Sequence, residues 1–508
     1  MLKVSSVRAG RRRKTAACEG KGEPLMGKRK NVLLLLSDQQ RLDTVSAYQK
    51  GCICRTPNLD RLAQEGMKFN NAFCTSAICA PSRASVMTGL YSHKHGVIDN
   101  YTDIRPGTPL LGQCMADAGY YCGYAGKWHV SPNRTPKECG FEDNLPFMGY
   151  GFPGSGVFPS LKFNLPPRNQ PNYYAEYLRE NGFEGVDVSC GFMGNNPALQ
   201  IQEMYCRHDG PFESTIEYFV AQETNRLIEK AKDDSRPFFI WSNFWGPHSP
   251  SIVPEPYYSM YRPEDIPEHP SYCEDFKDKP YGYYLTEKMW GLSDYGWRGF
   301  QEIAARYFGH CTMIDDCVGL IVEKLKECGL YEDTVIIYSA DHGDCMGAHR
   351  LVEKGAFTFD EIYRVPMIVK GLGKEDNDSL VLLQELMPSI LDIAGKRPPK
   401  PVDGESLLPL MEGTRRDNGR KDVFCEFHYH FYTARQRMVR DLDYQFTFNE
   451  NERGELYDLK KDPWQLHNVC DDVAYREIKR EYMDRLQRHM EETQDPALIW
   501  FKRIREFY

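Results

Sequence analysis

One stretch of the chain sets a cysteine where a reactive group would be well served. Cys79-Ala80-Pro81-Ser82-Arg83 runs on to Thr88-Gly89, after an apolar lead-in with strand character, Met67 to Phe73. Pro81 is tolerated in a first helical turn, where its missing N–H costs nothing. Ser82 can support the free N–H groups of that turn, and Ala84 to Met87 continue it. Cys79 is thereby expected at a helix N-terminus, where unpaired N–H groups and the dipole favour an anion. Further polar groups stand at the ends of four apolar runs: Asp38 after Asn31 to Leu36, Lys127 and His129 after Tyr120 to Ala125, His248 after Pro237 to Ser242, and Asp341 with His342 after Thr334 to Tyr338. Each alone has an ordinary reading, as a helix cap, a surface lysine or a satisfied histidine, and Cys79 alone could be a buried free thiol. Their common placement carries the information. In a chain that alternates strands and helices, the C-terminal ends of central strands share one edge of one sheet, where open α/β sheets place their sites.

The elements needed to hold these residues follow from periodicity. Asn31 to Leu36 is a continuous apolar run suited to a central parallel strand buried on both faces. Leu59 to Glu65 reads as a short amphipathic helix stopped by Gly66, Leu111 to Ala118 as another, and Glu213 to Lys232 as a clear third. Ile303 to Cys328 is a long amphipathic helix with Gly329 as its stop. Val365 to Lys370 adds a strand, and Leu382 to Ala394 a helix. From about Pro146 to Pro211, and again from Pro250 to about Trp297, the pattern dissolves into glycine, proline, asparagine and aromatics. These segments are read as loops over the mouth of the site. Beyond about Arg416, alternating runs such as Arg437 to Arg440 and Tyr444 to Phe448 predict a small antiparallel sheet, followed by a helix from Val473 to Glu492. The expected organisation is a basic tail over 1–27, a catalytic domain over 28–415 and a smaller subdomain over 416–508.

The pattern Cys-x-Pro-Ser-Arg-x4-Thr-Gly at 79–89 resembles the signature of type I sulfatases, whose cysteine is oxidised to Cα-formylglycine. Asp341-His342-Gly343 with Gly347-Ala348-His349 and Lys354, then Arg364-Val365-Pro366, is similar to the same family, as is Glu455-Leu456-Tyr457-Asp458-Leu459 with Asp462-Pro463. The likeness covers Asn31 to about Asn468. It implies an α/β fold of the alkaline-phosphatase superfamily: a mostly parallel central sheet flanked by helices, with a small C-terminal subdomain of antiparallel sheet and helix. Carried over residue by residue, it implies Asp38, Gln39, the modified Cys79, Asp341 and His342 as ligands of one divalent cation, Ca²⁺. Gln39 departs from the pattern, because many members have a second aspartate there; an amide keeps an oxygen but drops one negative charge. His342 occupies a position that is often Asn, and is His in the iduronate- and heparan-type branch.

The implied reaction is sulfate ester hydrolysis. An aldehyde hydrates to a geminal diol whose first hydroxyl, acidified by the cation, attacks sulfur, and whose second hydroxyl expels sulfate on deprotonation. In that scheme Arg83 steadies the diol, Lys127 and Lys354 neutralise the sulfate oxygens, His129 is the base and His248 the acid at the leaving oxygen. The resemblance further implies a formylglycine-generating partner enzyme and a small sulfated carbohydrate as substrate. An aryl or steroid sulfatase, a phosphonate or phosphate ester hydrolase of the same superfamily, and a non-catalytic binding protein on the same scaffold are the alternatives; Trp128-His129 after Lys127 looks like the sulfatase version. His428-Tyr429-His430 places two histidines on one face of a strand, read as structural or substrate-lining rather than metal-binding, because no third ligand is evident.

Composition sets outer bounds. The 508 residues carry a formal charge of −9, which argues against a nucleic-acid partner. Hydrophobic residues at 41%, aromatics among them at 13%, supply a sizeable core. The seventeen cysteines form no disulfide framework, and mostly reduced thiols in a reducing compartment are expected. The first 25 residues carry Arg11-Arg12-Arg13-Lys14 without an apolar core of a secretory signal; a flexible tail, upstream of a candidate start at Met26, is preferred over an Arg-rich transit peptide. No apolar run approaches the ~20 residues of a membrane span. A cytoplasmic enzyme with no membrane partner is the expectation.

Overall fold

The computed structural model describes residues 29–147, 173–183, 188–190, 204–291, 296–430 and 432–507. Its frame is a nine-stranded sheet ordered β10-β2-β11-β9-β1-β7-β3-β4, with β12 added beside β2. The strands are β1 Asn31–Asp38, β2 Met67–Phe73, β3 Tyr121–Lys127, β4 Asp143–Phe147, β7 Phe238–Pro247, β9 Thr334–Ala340, β10 Arg364–Val365, β11 Met367–Lys370 and β12 Asn377–Leu382. A small sheet joins β5 Val188–Cys190, β6 Tyr205–His208 and β8 Ser251–Val253, and the C-terminal sheet is β13 Val423–His430, β14 Tyr432–Arg440, β15 Tyr444–Asn449 and β16 Glu455–Asp458.

The sheet is buried on both faces because its strands are apolar on both. Val32, Leu34 and Leu36 of β1 pack into one apolar cluster with Ala84 and Met87 of the helix Cys79–Thr88, Leu111 and Met115 of Leu111–Asp117, and Leu386 and Ile390 of Leu386–Ile393. Leu33 and Leu35 face the opposite cluster, with Phe219 and Leu227 of Ile216–Lys232 and Ile314 and Val318 of Gly296–Glu327. This alternation is the period of two expected of an extended chain, realised with apolar residues in every register.

β9, β1, β7 and β3 are neighbours and mutually parallel, with Ser37 of β1 opposite Ala340 and Asp38 opposite Pro247. Their C-terminal ends therefore lie at one level on one edge. The four-stranded C-terminal sheet is antiparallel throughout, as its alternating runs predict. Its residues Phe424, Val439 and Phe446, with Leu486 and Met490 of the helix Arg476–Glu492, belong to the same apolar cluster as the first face of the main sheet.

Several expectations are corrected. The segment after Pro250 holds β8 and a helix, Tyr281–Trp290, rather than loop alone. Its Tyr-Gly-Tyr-Tyr sequence has β propensity, but the i, i+3, i+4, i+7 spacing of buried Tyr283, Thr286, Glu287 and Trp290 holds it as a helix. Pro366 splits the strand expected over 365–370 into β10 and β11. Strand β12 and a last helix, Leu498–Ile504, carried no clear period. Of the loop expected over 146–211, the described part holds the helix Tyr173–Glu180 with β5 and β6, while 148–172, 184–187 and 191–203 lie outside the described residues. The tail over 1–27 lies outside them too. Fourteen described cysteines are free, and buried Cys206 is disulfide-bonded, so the thiols are mostly, not wholly, reduced.

Candidate active site

Cys79 is the first residue of the helix Cys79–Thr88, with extended Ile78 before it, and only 1% of its surface is exposed. Ser82 does not cap that helix as expected. Its hydroxyl donates instead to the Asp341 carbonyl at 2.6 Å, which ties the helix to the end of β9. The Ala80 N–H is taken by the side-chain oxygen of Asn100 at 3.1 Å.

The register of β1 and β9 brings Asp38 and Asp341 face to face, and Arg83 lies between them. Its Nη2 meets Asp38 Oδ2 at 2.8 Å and its Nε meets Asp341 Oδ2 at 2.8 Å, all three side chains being fully buried. Lys127 Nζ adds a contact of 2.6 Å to Asp38 Oδ2. Lys127 reaches this point because Gly126 before it has φ +91°, and a Cβ there would lie 1.9 Å from the Asn243 carbonyl oxygen. The second oxygens of the two aspartates are turned towards Cys79 and His342: Asp38 Oδ1 is 3.7 Å from Cys79 Sγ, and Asp341 Oδ1 is 3.8 Å from His342 Nε2.

His342 Nδ1 is 2.8 Å from the Gly343 carbonyl, to which it donates, so Nε2 is the ring nitrogen turned to Cys79 Sγ, at 3.2 Å. Sγ stands where the oxygens of a formylglycine hydrate would lie. Asp38, Cys79, Asp341 and His342 offer ligand atoms all within 4.8 Å of one another. Two buried carboxylates, an imidazole fixed with Nε2 inward and a nearby amide oxygen make a donor set suited to a hard divalent cation. Gln39, held at φ 67° after β1, completes the set of expected ligands; its Oε1 accepts from Lys354 at 2.5 Å.

On the far side, Lys354 Nζ lies 2.7 Å from His248 Nε2 and 2.8 Å from Glu353 Oε2. His248 Nδ1 is 2.7 Å from the Ser249 carbonyl, which leaves Nε2 facing the pocket. His129 lies beside Cys79 on the β3 side.

The charges reinforce one another. Burial pushes the Cys79 thiol up, but Lys127, Lys354 and His342 outweigh it and hold it well below its ordinary value. The pocket thus stabilises negative charge at position 79. Burial also raises Asp38, with Cys79 adding to it, yet Lys127 and Arg83 bring its carboxyl far below the ordinary range. His129 is lowered to about 4, chiefly by burial, so it is neutral and able to accept a proton. His342 is lowered by burial but raised more by Asp341 and Cys79, to about 9.

All the site residues expected from the sequence are brought together, including His129, His248 and Lys354 from three separate segments. His428 and His430 part company: His428 Nε2 pairs with Glu426 at 3.0 Å, whereas His430 is lowered to about 3 by burial and feels Lys354 and Cys79. Sequence reasoning missed Asn100, Asp344, Ser249 and Glu353. For Asp344 and Glu353 a signal was present, since they adjoin Asp341-His342-Gly343 and Lys354.

A sulfatase family model matches residues 30–396, and a model described as N-sulphoglucosamine sulphohydrolase, C-terminal, matches 347–492. The chain is 28% identical over 505 residues to the multifunctional alkaline phosphatase superfamily protein PehA of Trinickia caryophylli, covering 89% of this chain and 94% of that one. It is 25% identical over 502 residues to an N-acetylglucosamine-6-O-sulfatase of Bacteroides thetaiotaomicron, covering 92% and 87%. The crystal structure of the phosphonate monoester hydrolase of Agrobacterium radiobacter shares the fold, with a TM-score of 0.75 at 24% identity and coverage of 92% and 96%.

Proposed function

The chain belongs to the sulfatase family and is a sulfuric ester hydrolase, and from that premise we propose that its nucleophile is a formylglycine made from Cys79 by a maturation enzyme and that its substrates are small sulfated carbohydrates. The single observation that supports this reading is the convergence of Asp38, Asp341 and His342 on Cys79 Sγ, with Arg83, Lys127 and Lys354 supplying positive charge around it. Asp38, Gln39, Asp341 and His342 would hold the cation, which would supply Lewis-acid polarisation of an attacking oxygen at position 79.

The chain's own residues then divide the work. Lys127 and Lys354 bind the sulfate oxygens and hold the negative charge that develops on them. Arg83 keeps Asp38 and Asp341 at fixed spacing. His129, neutral and against position 79, accepts a proton there. His248, with Nδ1 committed to a carbonyl, turns Nε2 to the leaving oxygen as its acid, and the Lys354 ammonium lies 2.7 Å from that nitrogen.

Carbohydrate is favoured by the similarity to a glucosamine sulfatase over 92% of this chain. Cytoplasmic action is supported by the fourteen free thiols among the described residues and opposed by the disulfide at Cys206. Among the described residues no helix is long and apolar enough to cross a membrane. A second reading, phosphonate or phosphate monoester hydrolysis, is raised by the fold shared with the phosphonate monoester hydrolase of Agrobacterium radiobacter and disfavoured by the Lys127 and His129 pair.

The test has two parts. Mass spectrometry of the Cys79 peptide from protein made with a maturation system should show it about 18 Da lighter than the thiol form, and Cys79→Ala should abolish turnover while melting normally. Matured protein should desulfate mono- or disaccharide sulfates in preference to aryl sulfates and phosphonate monoesters. An active Cys79→Ala variant would overturn the nucleophile. Cleavage of phosphonates with no turnover of any sulfate would overturn the substrate class.

A further inference from the structure

Gln39 is the one implied metal ligand whose two ends differ, and its usefulness depends on which end faces the site. An amide turned by 180° would present N–H groups to a cation, which repel it, in place of an oxygen. The surroundings remove that freedom. Gln39 Nε2 donates to Asp344 Oδ2. Gln39 Oε1 accepts from Lys354 at 2.5 Å. The backbone is pinned as well: Gln39 N–H donates to Asp341 Oδ1 at 3.0 Å, and its carbonyl accepts from the Tyr307 hydroxyl at 2.5 Å. Turning the amide would set N–H against the Lys354 ammonium and oxygen against the Asp344 carboxyl, so both bonds would be lost at once.

Asp344 is itself held. It is 4% exposed, and its Oδ1 accepts the N–H of Met346 at 2.6 Å and that of Glu353 at 3.0 Å. One carboxyl oxygen therefore serves the loop and the other serves Gln39.

We propose that Asp344 is a positioning residue that orients the Gln39 amide so that only oxygen faces the cation, and that it carries one shell further out the carboxylate that an aspartate at position 39 would have supplied directly. This rests on the metal-site reading above. Groups that orient a ligand from behind typically govern 10- to 100-fold in metal affinity, and that is the loss expected for Asp344→Asn, whose amide oxygen stays with the Met346 and Glu353 N–H groups and whose NH2 then faces Gln39 and favours the turned amide.

The experiment is calorimetric titration of Ca²⁺ into metal-stripped, matured full-length protein, with melting of the metal-free forms alongside. Wild type is compared with Asp344→Asn and with the swapped pair Gln39→Glu/Asp344→Asn. In the swap a carboxylate faces the cation, the amide behind donates back to it, and the remaining amide oxygen still accepts from Met346 and Glu353. The proposal expects Asp344→Asn to bind Ca²⁺ about 10- to 100-fold more weakly and the swap to bind at least as tightly as wild type. Unchanged affinity in Asp344→Asn, or a swap as weak as that single variant, overturns it. Should Asp344→Asn fail to fold, the swap still decides, because a purely structural Asp344 leaves the swap unfolded or weak. A wild type that takes up no Ca²⁺ overturns the metal-site reading itself, and this inference with it.

Discussion

Replacing Arg83 by methionine removes one buried cation, two charge-assisted contacts of 2.8 Å and a longer bond of 3.3 Å to the Lys127 carbonyl, while keeping most of the side-chain volume. Asp38 retains Lys127 at 2.6 Å, but Asp341 loses its only close guanidinium and keeps His342 Nε2 at 3.8 Å. Breaking a fully buried pair by removing one partner costs about 3–5 kcal/mol, because a buried charge is left behind. Unfolding entropy near 2.1 cal/mol/K per residue, over the 508 residues, gives about 1 kcal/mol/K, so the metal-free variant should melt roughly 3–5 °C lower. If the penalty is the stranded charge, Asp341→Asn should remove it. Arg83→Met/Asp341→Asn should then melt above Arg83→Met, with a coupling energy of about 1–3 kcal/mol in the double-mutant cycle. Differential scanning calorimetry in chelator measures all four proteins. A double variant no more stable than Arg83→Met would show that Arg83 matters through packing, and the electrostatic argument would fall.

His248→Ala should slow desulfation of sugar esters by about 10²–10³-fold and that of nitrophenyl sulfate far less, since a good leaving group needs little protonation; equal losses in kcat/KM on the two substrates would argue against His248 as the acid. Chelation should remove activity, Ca²⁺ should restore it better than Mg²⁺, and Asp341→Ala should behave as the chelated enzyme does, with elemental analysis reporting the metal. Stability should also depend on pH through the pair His93 Nδ1–Glu426 Oε2, 2.8 Å apart and buried. Burial raises Glu426, but His93 and His428 hold it well below its ordinary 4.5, so its contribution is present above that value and is lost as pH falls through the depressed one. His93, lowered by burial but raised more by Glu426, sits above its ordinary 6.5, so its contribution is full below 6.5 and is lost as pH rises through the raised value. Melting temperature should therefore peak between those limits, and His93→Gln should flatten the alkaline limb.

The sequence was most readable where one physical demand dominated. Asn31 to Leu36 had to be a central strand because nothing but a sheet covered on both faces buries such a run, and all eight residues of β1 are buried. Asp38, Lys127, His248 and Asp341 then followed from strand ends alone. Residues whose role depends on distant partners were opaque. Glu353 and Ser249 are ordinary loop residues until the fold brings their side chains together from positions 104 apart. The helix Tyr281–Trp290 was hidden because tertiary contacts, such as Tyr283 Oη to Glu455 at 2.8 Å, overrule aromatic propensity. Strand β12 opens with Asn377, Asp378 and Ser379, a turn-like composition, and becomes a strand only by pairing alongside β2.

The burial of Cys79 fixes an order of events. At 1% exposure, inside a helix whose ten residues are all buried, the thiol cannot be presented to another protein once the chain has folded. The proposed conversion must then be a step of biosynthesis, completed while residues 74 to 89 are still an extended peptide. Folding and modification compete for the same interval. Every molecule that folds first carries a plain thiol from then on, and the active fraction of a preparation records who won that race rather than how stable the product is. Adding a maturation system to folded protein should leave the fraction unchanged, whereas refolding the same protein in its presence should raise it.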